Sequence, residues 1–528
     1  MSTPPLYAPL RSAIAATLGV FFRRIQVVGE EQVPETGPVL FVGNHPNSLL
    51  DPAALIAVSH RPIAFAAKDV LFANPALRPI LRGVGALPIR RRVDSDGKVD
   101  DATAAAASTA ASVDNSGAFA AMHAQLEAGG AIGVFPEGLS HDEAQLQPLK
   151  TGAARVALGT KGAPVRIVPV GLNYSSPKRF RSNVLVRFGP PILVDEAWRA
   201  RAAIDLHGTA RALTLRIDLA LRALTINADD WDTLRVLETV RRLYQPPGLS
   251  LEARVELGQR FAAGYEKLRG QPEISGLFDR VRRFRNRLDA IDLTERDLQT
   301  DWRLTAVFAR FWRRSGRALL WLPLAIPGLL LHAPAALLAA AVGAIATPRR
   351  DVVATTKLLA GFVLVVATWI GLSVAMVLAW GSRAAMLMPL LPLSGWAALR
   401  VIERYADGRE LLGSLWNFLR FRQEVADLRR ERRRLEAAVV GAVVRFLPAD
   451  LEPLFLAASV ERLGDAASPG SAAGLSVLDG EVASAALDAQ GVDDADADAW
   501  LRVFADLLGH STPPVATANA NDDASAPE

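Results

Sequence analysis

The sequence predicts an α/β domain with a mostly parallel sheet and flanking helices, followed by a helical extension and a C-terminal transmembrane helical region. Three observations carry this reading. From Arg24 to about Glu196, short apolar runs bounded by Gly, Pro or Asn alternate with helical stretches, the pattern of successive β–α–β units. Residues 201–310 are charged and helix-patterned, broken at Pro246-Pro247-Gly248. Two long uncharged blocks come after them.

Composition narrows the function classes. The 528 residues are 50% hydrophobic and 22% charged, and the mean hydropathy of +0.19 suits a water-facing body joined to a few membrane segments. There are no cysteines, which excludes disulfides, thiolate metal sites and a cysteine nucleophile. The seven histidines carry most of the remaining scope for base chemistry near neutral pH. The net charge of +4 hides an asymmetry: residues 461–528 hold 13 acidic and 2 basic side chains, leaving 57 basic against 42 acidic in residues 1–460. A basic body with apolar spans suits an anionic membrane surface or a phosphorylated substrate. Zinc-finger spacing, RNP patterns and basic zippers are missing, so nucleic acid is not the expected partner.

Taken in order, residues 1–23 form an amphipathic N-terminal helix. Arg11 interrupts its apolar stretch, unlike a secretory signal. Leu6–Phe22 would either lie on a membrane surface or cover the core of the domain that follows. Residues 24–200 are the α/β domain, with strands expected at Arg24–Val28, Pro38–Val42, Gly130–Phe135, Val165–Leu172 and Val184–Phe188. A helix is expected around Phe119–Ala128, after a variable insert at Asp101–Ser112. Residues 201–310 are the helical extension.

Residues 311–405 are the transmembrane region. Ala318–Ala346 runs 29 residues and Leu358–Gly381 runs 24 residues without Lys, Arg, Asp or Glu. At 1.5 Å per residue each exceeds a hydrocarbon core of ~30 Å. A third block, Ala384–Leu399, is shorter and holds two prolines, giving two or three helices in all. Arg310, Arg313, Arg314 and Arg317 precede the region and Arg400, Arg404 and Arg409 follow it. Basic flanks on both sides favour both ends on the cytoplasmic side, and Arg349 and Arg350 between the blocks oppose that arrangement. Residues 406–460 read as basic cytoplasmic helices and residues 461–528 as an acidic, mostly disordered tail, with a short helix at Ala499–Leu508.

Four segments carry chemistry. Asn44-His45-Pro46-Asn47-Ser48-Leu49-Leu50-Asp51 follows an apolar strand, a natural place for a histidine base oriented by a carboxylate. Six residues amount to about 240° around an ideal helix, so His45 must sit in the turn before a helix with Asp51 folded back from its first turns. Gly85-Ala86-Leu87-Pro88-Ile89-Arg90-Arg91 delivers adjacent guanidinium groups. Phe135-Pro136-Glu137-Gly138-Leu139-Ser140-His141-Asp142 closes a second strand, and His141 is a competing base by residue type. Val168-Pro169-Val170-Gly171-Leu172-Asn173-Tyr174 is a buried strand with a polar exit. The histidines show no metal-ligand spacing, so no metal is expected. Walker A and Gly-x-Ser-x-Gly patterns are missing too.

In this order and spacing the four segments resemble the four blocks of the glycerolipid acyltransferase superfamily, the glycerol-3-phosphate and 1-acylglycerol-3-phosphate acyltransferases, over residues 24–200. The usual block has four residues between His and Asp, and here there are five. That longer form resembles the fungal-type glycerol-3-phosphate/dihydroxyacetone-phosphate acyltransferases. So do Lys178-Arg179-Phe180-Arg181-Ser182 after Asn173-Tyr174, and Asp232-Thr233-Leu234 followed by Arg241-Arg242-Leu243-Tyr244.

The resemblance implies an acyltransferase domain in which His45 is the general base and Asp51 its orienter. It implies that Arg91 binds the acceptor phosphate, that Arg90 is a neighbouring partner, that Glu137 and Gly138 shape the acceptor site, and that Pro169 lies on the acyl-donor side. Independently, Lys150, Arg179 and Arg181 are candidate phosphate contacts, since guanidinium groups bind phosphate bidentately. The expected reaction is direct transfer of a fatty acyl group from an acyl thioester to glycerol 3-phosphate, or to dihydroxyacetone phosphate, in phospholipid biosynthesis. Backbone N–H groups near the loop after His45 would serve as the oxyanion donor. Acyl-CoA or acyl-carrier protein is then a co-substrate, and no cofactor is expected. Two alternatives stand beside this: a lysophosphatidate or other lysophospholipid acyltransferase, and an inactive membrane lipid-binding scaffold on the same fold. The expected location is integral in a membrane, a bacterial inner membrane by composition, with the catalytic domain on the cytoplasmic side. The sequence leaves oligomeric state open.

Overall fold

The structure is a computed structural model, and it describes residues 4–73, 77–89, 116–141, 143–177, 179–245, 249–300, 302–345 and 353–446. The variable insert, Pro246-Pro247-Gly248, Arg349 and Arg350, and the acidic tail with its expected short helix lie outside the described residues.

The α/β domain holds α1 (Tyr7–Phe21), β1 (Arg24–Val28), β2 (Val39–Gly43), α2 (Leu50–Val58), β3 (Ile63–Lys68), α3 (Asp69–Ala73), α4 (Leu77–Gly83) and β4 (Leu87–Ile89). It continues through α5 (Ser116–Glu127), β5 (Ala131–Val134), α6 (Gly152–Gly159), β6 (Val165–Tyr174), β7 (Asn183–Phe188) and β8 (Ile192–Val194). The eight strands form one sheet in the order β1-β7-β6-β2-β5-β3-β4, with β8 paired to β6. All pairings are parallel except β6 with β7 and β6 with β8, so the expected mostly parallel sheet is present.

Every expected strand is found to within two residues at each end, and β3, β4 and β8 are additional. Their sequences explain why they escape notice: β3 is Ala-rich and β4 and β8 are three residues each, too short for a periodic signal.

Central strands covered on both faces must be apolar at every position. β2 is buried at all five residues. Val39 and Phe41 enter a core with Leu18 and Phe21 of α1 and Leu50 and Ala54 of α2. Leu40 and Val42 enter the opposite core with Leu126 of α5, Val156 of α6 and Leu213, as the two-residue period of a strand requires.

The N-terminal helix is part of this core. Tyr7 and Phe21 are buried in it, and the Tyr7 hydroxyl accepts a hydrogen bond from the Ile63 N–H at 2.9 Å. Of the two readings of Leu6–Phe22, the structure takes core cover.

The helical extension comprises α7 (Glu196–Ile204), α8 (Leu206–Arg222), α9 (Trp231–Tyr244), α10 (Leu251–Leu268), α11 (Pro272–Ala290) and α12 (Glu295–Leu298). Asp195, Asp205, Asp230 and Ser250 cap the starts of α7, α8, α9 and α10 through their side chains, each satisfying an N–H that the first helical turn leaves open.

Beyond these lie α13 (Leu304–Leu319), α14 (Leu322–Ile345), α15 (Val353–Trp380), α16 (Leu390–Arg420) and α17 (Arg422–Phe446). Among the described residues, three stretches are long and apolar enough to cross a membrane: Leu322–Ile345, Val353–Trp380 and Ser382–Arg420. The third is longer than expected and runs through the anticipated boundary at residue 405. Pro389 precedes α16 and Pro392 sits in its first turn, where a missing N–H costs no helical bond.

Contacts divide the described residues into two units. One holds residues 4–282, 330–392 and 435–446, and the other holds 283–329 and 393–434. Within the first unit, Ala354 and Leu358 at the start of α15 pack onto the α1–α2 core. Trp369 Nε1–H donates to His332 Nε2 at 2.8 Å, joining α15 to α14. Within the second, Arg287 pairs with Glu424 at 2.7 Å, and Trp302 packs on Phe418.

Candidate active site

β2, β3, β4, β5 and β6 run parallel to one another through their pairings, so their carboxyl ends share one edge of the sheet. Open α/β sheets bind ligands along that edge. The segments after β2, β5 and β6 supply His45, Glu137 and Tyr174 there. β4 also ends on this edge, and Arg90 and Arg91, which follow it, lie outside the described residues.

The β2–β6 ladder ends where Gly43 faces Val170. The next residue continues the ladder with its side chain: Asn44 Nδ2 donates to the Leu172 carbonyl at 3.0 Å, and Oδ1 accepts from the Leu172 N–H at 2.7 Å. The backbone is thereby released from the sheet and can turn outward with His45. Ser48 in this turn adopts a left-handed conformation, φ 48°, and α2 starts two residues later with Asp51 in its first turn.

The His45 ring lies flat on Phe135, centroids 4.2 Å apart and planes within 7°. Its Nδ1 meets Asp51 Oδ2 at 2.8 Å, with the imidazole 11% exposed and the carboxylate 0%. Nε2 has no partner among the described residues. Asp51 Oδ2 also accepts from the Asn47 N–H at 2.7 Å, and Oδ1 accepts from the Tyr174 hydroxyl at 2.7 Å. Burial pushes the Asp51 carboxyl above its usual range, while His45, Tyr174 and Asn47 pull it back down. Burial first, and the Asp51 charge second, push the Tyr174 phenol well above its ordinary value, so it remains a donor. A carboxylate accepting from Nδ1–H fixes the imidazole tautomer with Nε2 as the acceptor.

Glu137 is also buried, and both of its carboxylate oxygens accept hydrogen bonds. Oε1 accepts from the His45 N–H at 2.7 Å, and Oε2 accepts from the Gln147 N–H at 2.8 Å and from His141 Nε2. Glu137 therefore braces the His45 turn against the turn after β5. Both carboxylate oxygens of Glu137, a residue expected to shape the acceptor site, already accept from protein donors. His141 is removed as a competing base for the same reason: Nε2 is held by Glu137, and Nδ1 accepts from the Glu143 N–H at 3.3 Å. Its sequence neighbour Asp142 lies outside the described residues.

Gly138 has φ +79°, a backbone conformation that favours glycine, and the end of the Lys150 side chain lies over it. Lys150 is exposed beside this turn and forms no ion pair among the described residues. Arg179 is likewise exposed and unpaired among them. It lies in the β6–β7 loop, whose Pro177 carbonyl accepts from Asn47 Nδ2 at 2.9 Å. Lys178 lies outside the described residues.

Two other expectations are corrected. Arg181 Nη1 donates to the carbonyls of Gly19, Val20 and Phe22 at 2.8–2.9 Å, closing the C-terminal end of α1, so it is a structural cap and not a phosphate contact. Pro169 is buried inside β6, its carbonyl accepting from the Gly189 N–H at 2.8 Å, so it is core and not acyl-donor surface. The Asn47 N–H is held by Asp51 and the His45 N–H by Glu137, which leaves the expected oxyanion donor to other N–H groups of this loop.

Tyr174 is the site residue that sequence reasoning left without a role. A hydroxyl-bearing ring at the end of an otherwise apolar strand was the available signal.

Residues 24–173 match the acyltransferase family model, and residues 236–450 match that of the glycerol-3-phosphate acyltransferase 2 C-terminal domain. Both matched stretches are similar to glycerolipid acyltransferases. It is 37% identical over 189 residues to glycerol-3-phosphate O-acyltransferase 2 of Saccharomyces cerevisiae, covering 35% of this chain and 25% of that one. It is 32% identical over 277 residues to glycerol-3-phosphate O-acyltransferase 1 of the same yeast, covering 48% and 36%. An uncharacterized acyltransferase of Schizosaccharomyces pombe is 24% identical over 442 residues, 66% of this chain and 65% of the relative. The matched stretches thus span well under half of the two budding-yeast relatives.

Proposed function

We propose that this chain transfers a fatty acyl group from an acyl thioester to the hydroxyl of glycerol 3-phosphate, at a membrane, in glycerolipid synthesis. The observation that carries the reading is the His45–Asp51 pair, with Nε2 unoccupied by any described residue and Asp51 held from three sides. The names of the two budding-yeast relatives support the choice of acceptor.

A glycerol hydroxyl loses its proton too reluctantly to attack a thioester unless a base takes the proton as the new bond forms. Such help contributes roughly 10²–10⁴-fold. His45 Nε2 accepts the hydroxyl proton while the oxygen attacks the thioester carbonyl, and Asp51 stabilises the resulting imidazolium. Collapse of the tetrahedral intermediate breaks the carbon–sulfur bond, and the proton passes from His45 to the departing thiolate. Atoms and charges balance without an acyl-enzyme or a cofactor, the thioester being a co-substrate such as acyl-CoA. Arg91, with Arg90, Lys150 and Arg179 as further cations, would hold the acceptor phosphate and so fix the attacking hydroxyl. The basic residues flanking the apolar helices favour the catalytic domain on the cytoplasmic side, where acyl-CoA is supplied.

The test is acyl transfer by the purified full chain with one acyl-CoA, offering glycerol 3-phosphate, dihydroxyacetone phosphate and lysophosphatidate in turn. The expected result is the highest kcat/KM for glycerol 3-phosphate. A clear preference for lysophosphatidate would assign the chain to the second acyl transfer of glycerolipid synthesis, and no transfer to any acceptor would favour the scaffold.

A further inference from the structure

The second unit contains a cavity of about 550 Å³ between α13 and α16, inside the ~300–1,000 Å³ range of pockets that hold small ligands. One wall comes from Phe311, Leu319 and Leu322, and the other from Val401 and Leu412. Residues 401, 404, 405, 408, 412 and 416 all line it, the three- and four-residue spacing that places them on one helix face. The lining is apolar except where Arg404, Tyr405 and Arg409 enter it.

Neighbouring residues mark its level in the membrane. Trp321, at the start of the first candidate span, packs edge-on against Trp396 at 4.8 Å, and the Arg400 guanidinium lies 5.2 Å over the Trp396 ring. Tryptophan and arginine collect where hydrocarbon gives way to water. The cavity begins one residue further along α16, at Val401. On α13, Phe308 and Trp312 are 65% and 57% exposed and stack at 6.3 Å, the apolar face of a helix that lies along a bilayer surface. Lipid is therefore the molecule present at the mouth of this cavity at the highest local concentration. The two charged side chains that line the cavity, Arg404 and Arg409, are both basic, and Arg409 is exposed and unpaired among the described residues.

We propose that this cavity binds one anionic glycerophospholipid of the surrounding bilayer. An acyl chain lies between Phe311, Leu322 and Leu412, and the phosphate sits at Arg404 and Arg409. The bound lipid joins α13 to α16 at the membrane surface. This site is independent of the acyl-transfer reading and does not involve His45.

The test is native mass spectrometry of the full chain in mild detergent, with equimolar phosphatidylglycerol and phosphatidylcholine of identical acyl chains. The wild type should retain one phosphatidylglycerol in preference. Arg404→Gln and Arg409→Gln should each weaken that preference at least ~5-fold, the size of one basic side chain's attraction to an anionic headgroup. A Cβ on Gly413, which lines the cavity, meets nothing within 4 Å, so Gly413→Leu fills the space without a backbone clash and should abolish retention. Gly441 is equally open and lies outside the cavity, so Gly441→Leu should retain lipid like the wild type and controls for damage by a helical leucine. Equal retention of the two lipids by the wild type, or undiminished retention by Gly413→Leu, overturns the proposal.

Discussion

The Tyr174 hydroxyl donates to Asp51 Oδ1 at 2.7 Å, on the opposite side of the carboxylate from the His45 ring. Tyr174→Phe deletes only this donor and keeps the ring that lies 5.7 Å from Phe22. The hydrogen bond lowers the Asp51 pKa, so its loss raises that pKa, and more of the carboxyl is protonated at a given acidic pH. The acid limb of kcat/KM should therefore move to higher pH, with a loss of about 5-fold on the plateau, the worth of one hydrogen bond near 1 kcal/mol. An unchanged pH profile would remove Tyr174 from the machinery.

His45→Ala should reduce kcat by ~10² or more with membrane insertion and expression unchanged, because general-base help is worth at least that much. Asp51→Asn should be severely impaired through loss of tautomer control. Retention of more than about a tenth of wild-type kcat by His45→Ala would end the general-base assignment.

Glu137→Gln preserves shape while an amide NH₂ replaces an acceptor facing the His45, Gln147 and His141 donors. A buried donor left unpaired costs about 1–3 kcal/mol. The expected outcome is a lower unfolding temperature together with a lower kcat, read by thermal denaturation and steady-state assay. A variant impaired only in KM for the acceptor would instead mean that Glu137 touches substrate.

The cations separate by role. Arg91→Ala should raise the KM for glycerol 3-phosphate ~10–150-fold, the range for a phosphate–guanidinium contact of about 1.5–3 kcal/mol, and Lys150→Ala should raise it less. Arg181→Ala should leave KM alone and lower thermal stability, since it strips a donor from three carbonyls at the end of α1. A KM effect from Arg181→Ala equal to that from Arg91→Ala would contradict the capping role.

Alkaline carbonate extraction should leave the full chain in the membrane pellet, because Leu322–Ile345 and Val353–Trp380 are each long enough to span the hydrocarbon. Release of the intact chain into the supernatant would refute both as spans.

Much of this protein is determined locally and was legible for that reason. β2 reads as a buried strand because five consecutive residues face cores on both sides. The spans read as spans because hydrocarbon selects by length and lack of charge alone. His45 and Asp51 could be paired from six residues of spacing once a turn was placed between them.

The rest depends on register across the sheet. Tyr174 is 123 residues from Asp51, and Glu137 is 92 from His45. These pairs meet because β2 lies between β5 and β6 with Gly43 opposite Val170. A one-residue slip would turn every side chain to the other face. The same tertiary placement withdrew Arg181 to the end of α1 and Pro169 into the core, although both stood in segments that looked chemical. The sequence determined which residue types could do the chemistry. Only the packed sheet decided which of them retain a lone pair, a charge or a surface after the protein's own donors and acceptors have been satisfied.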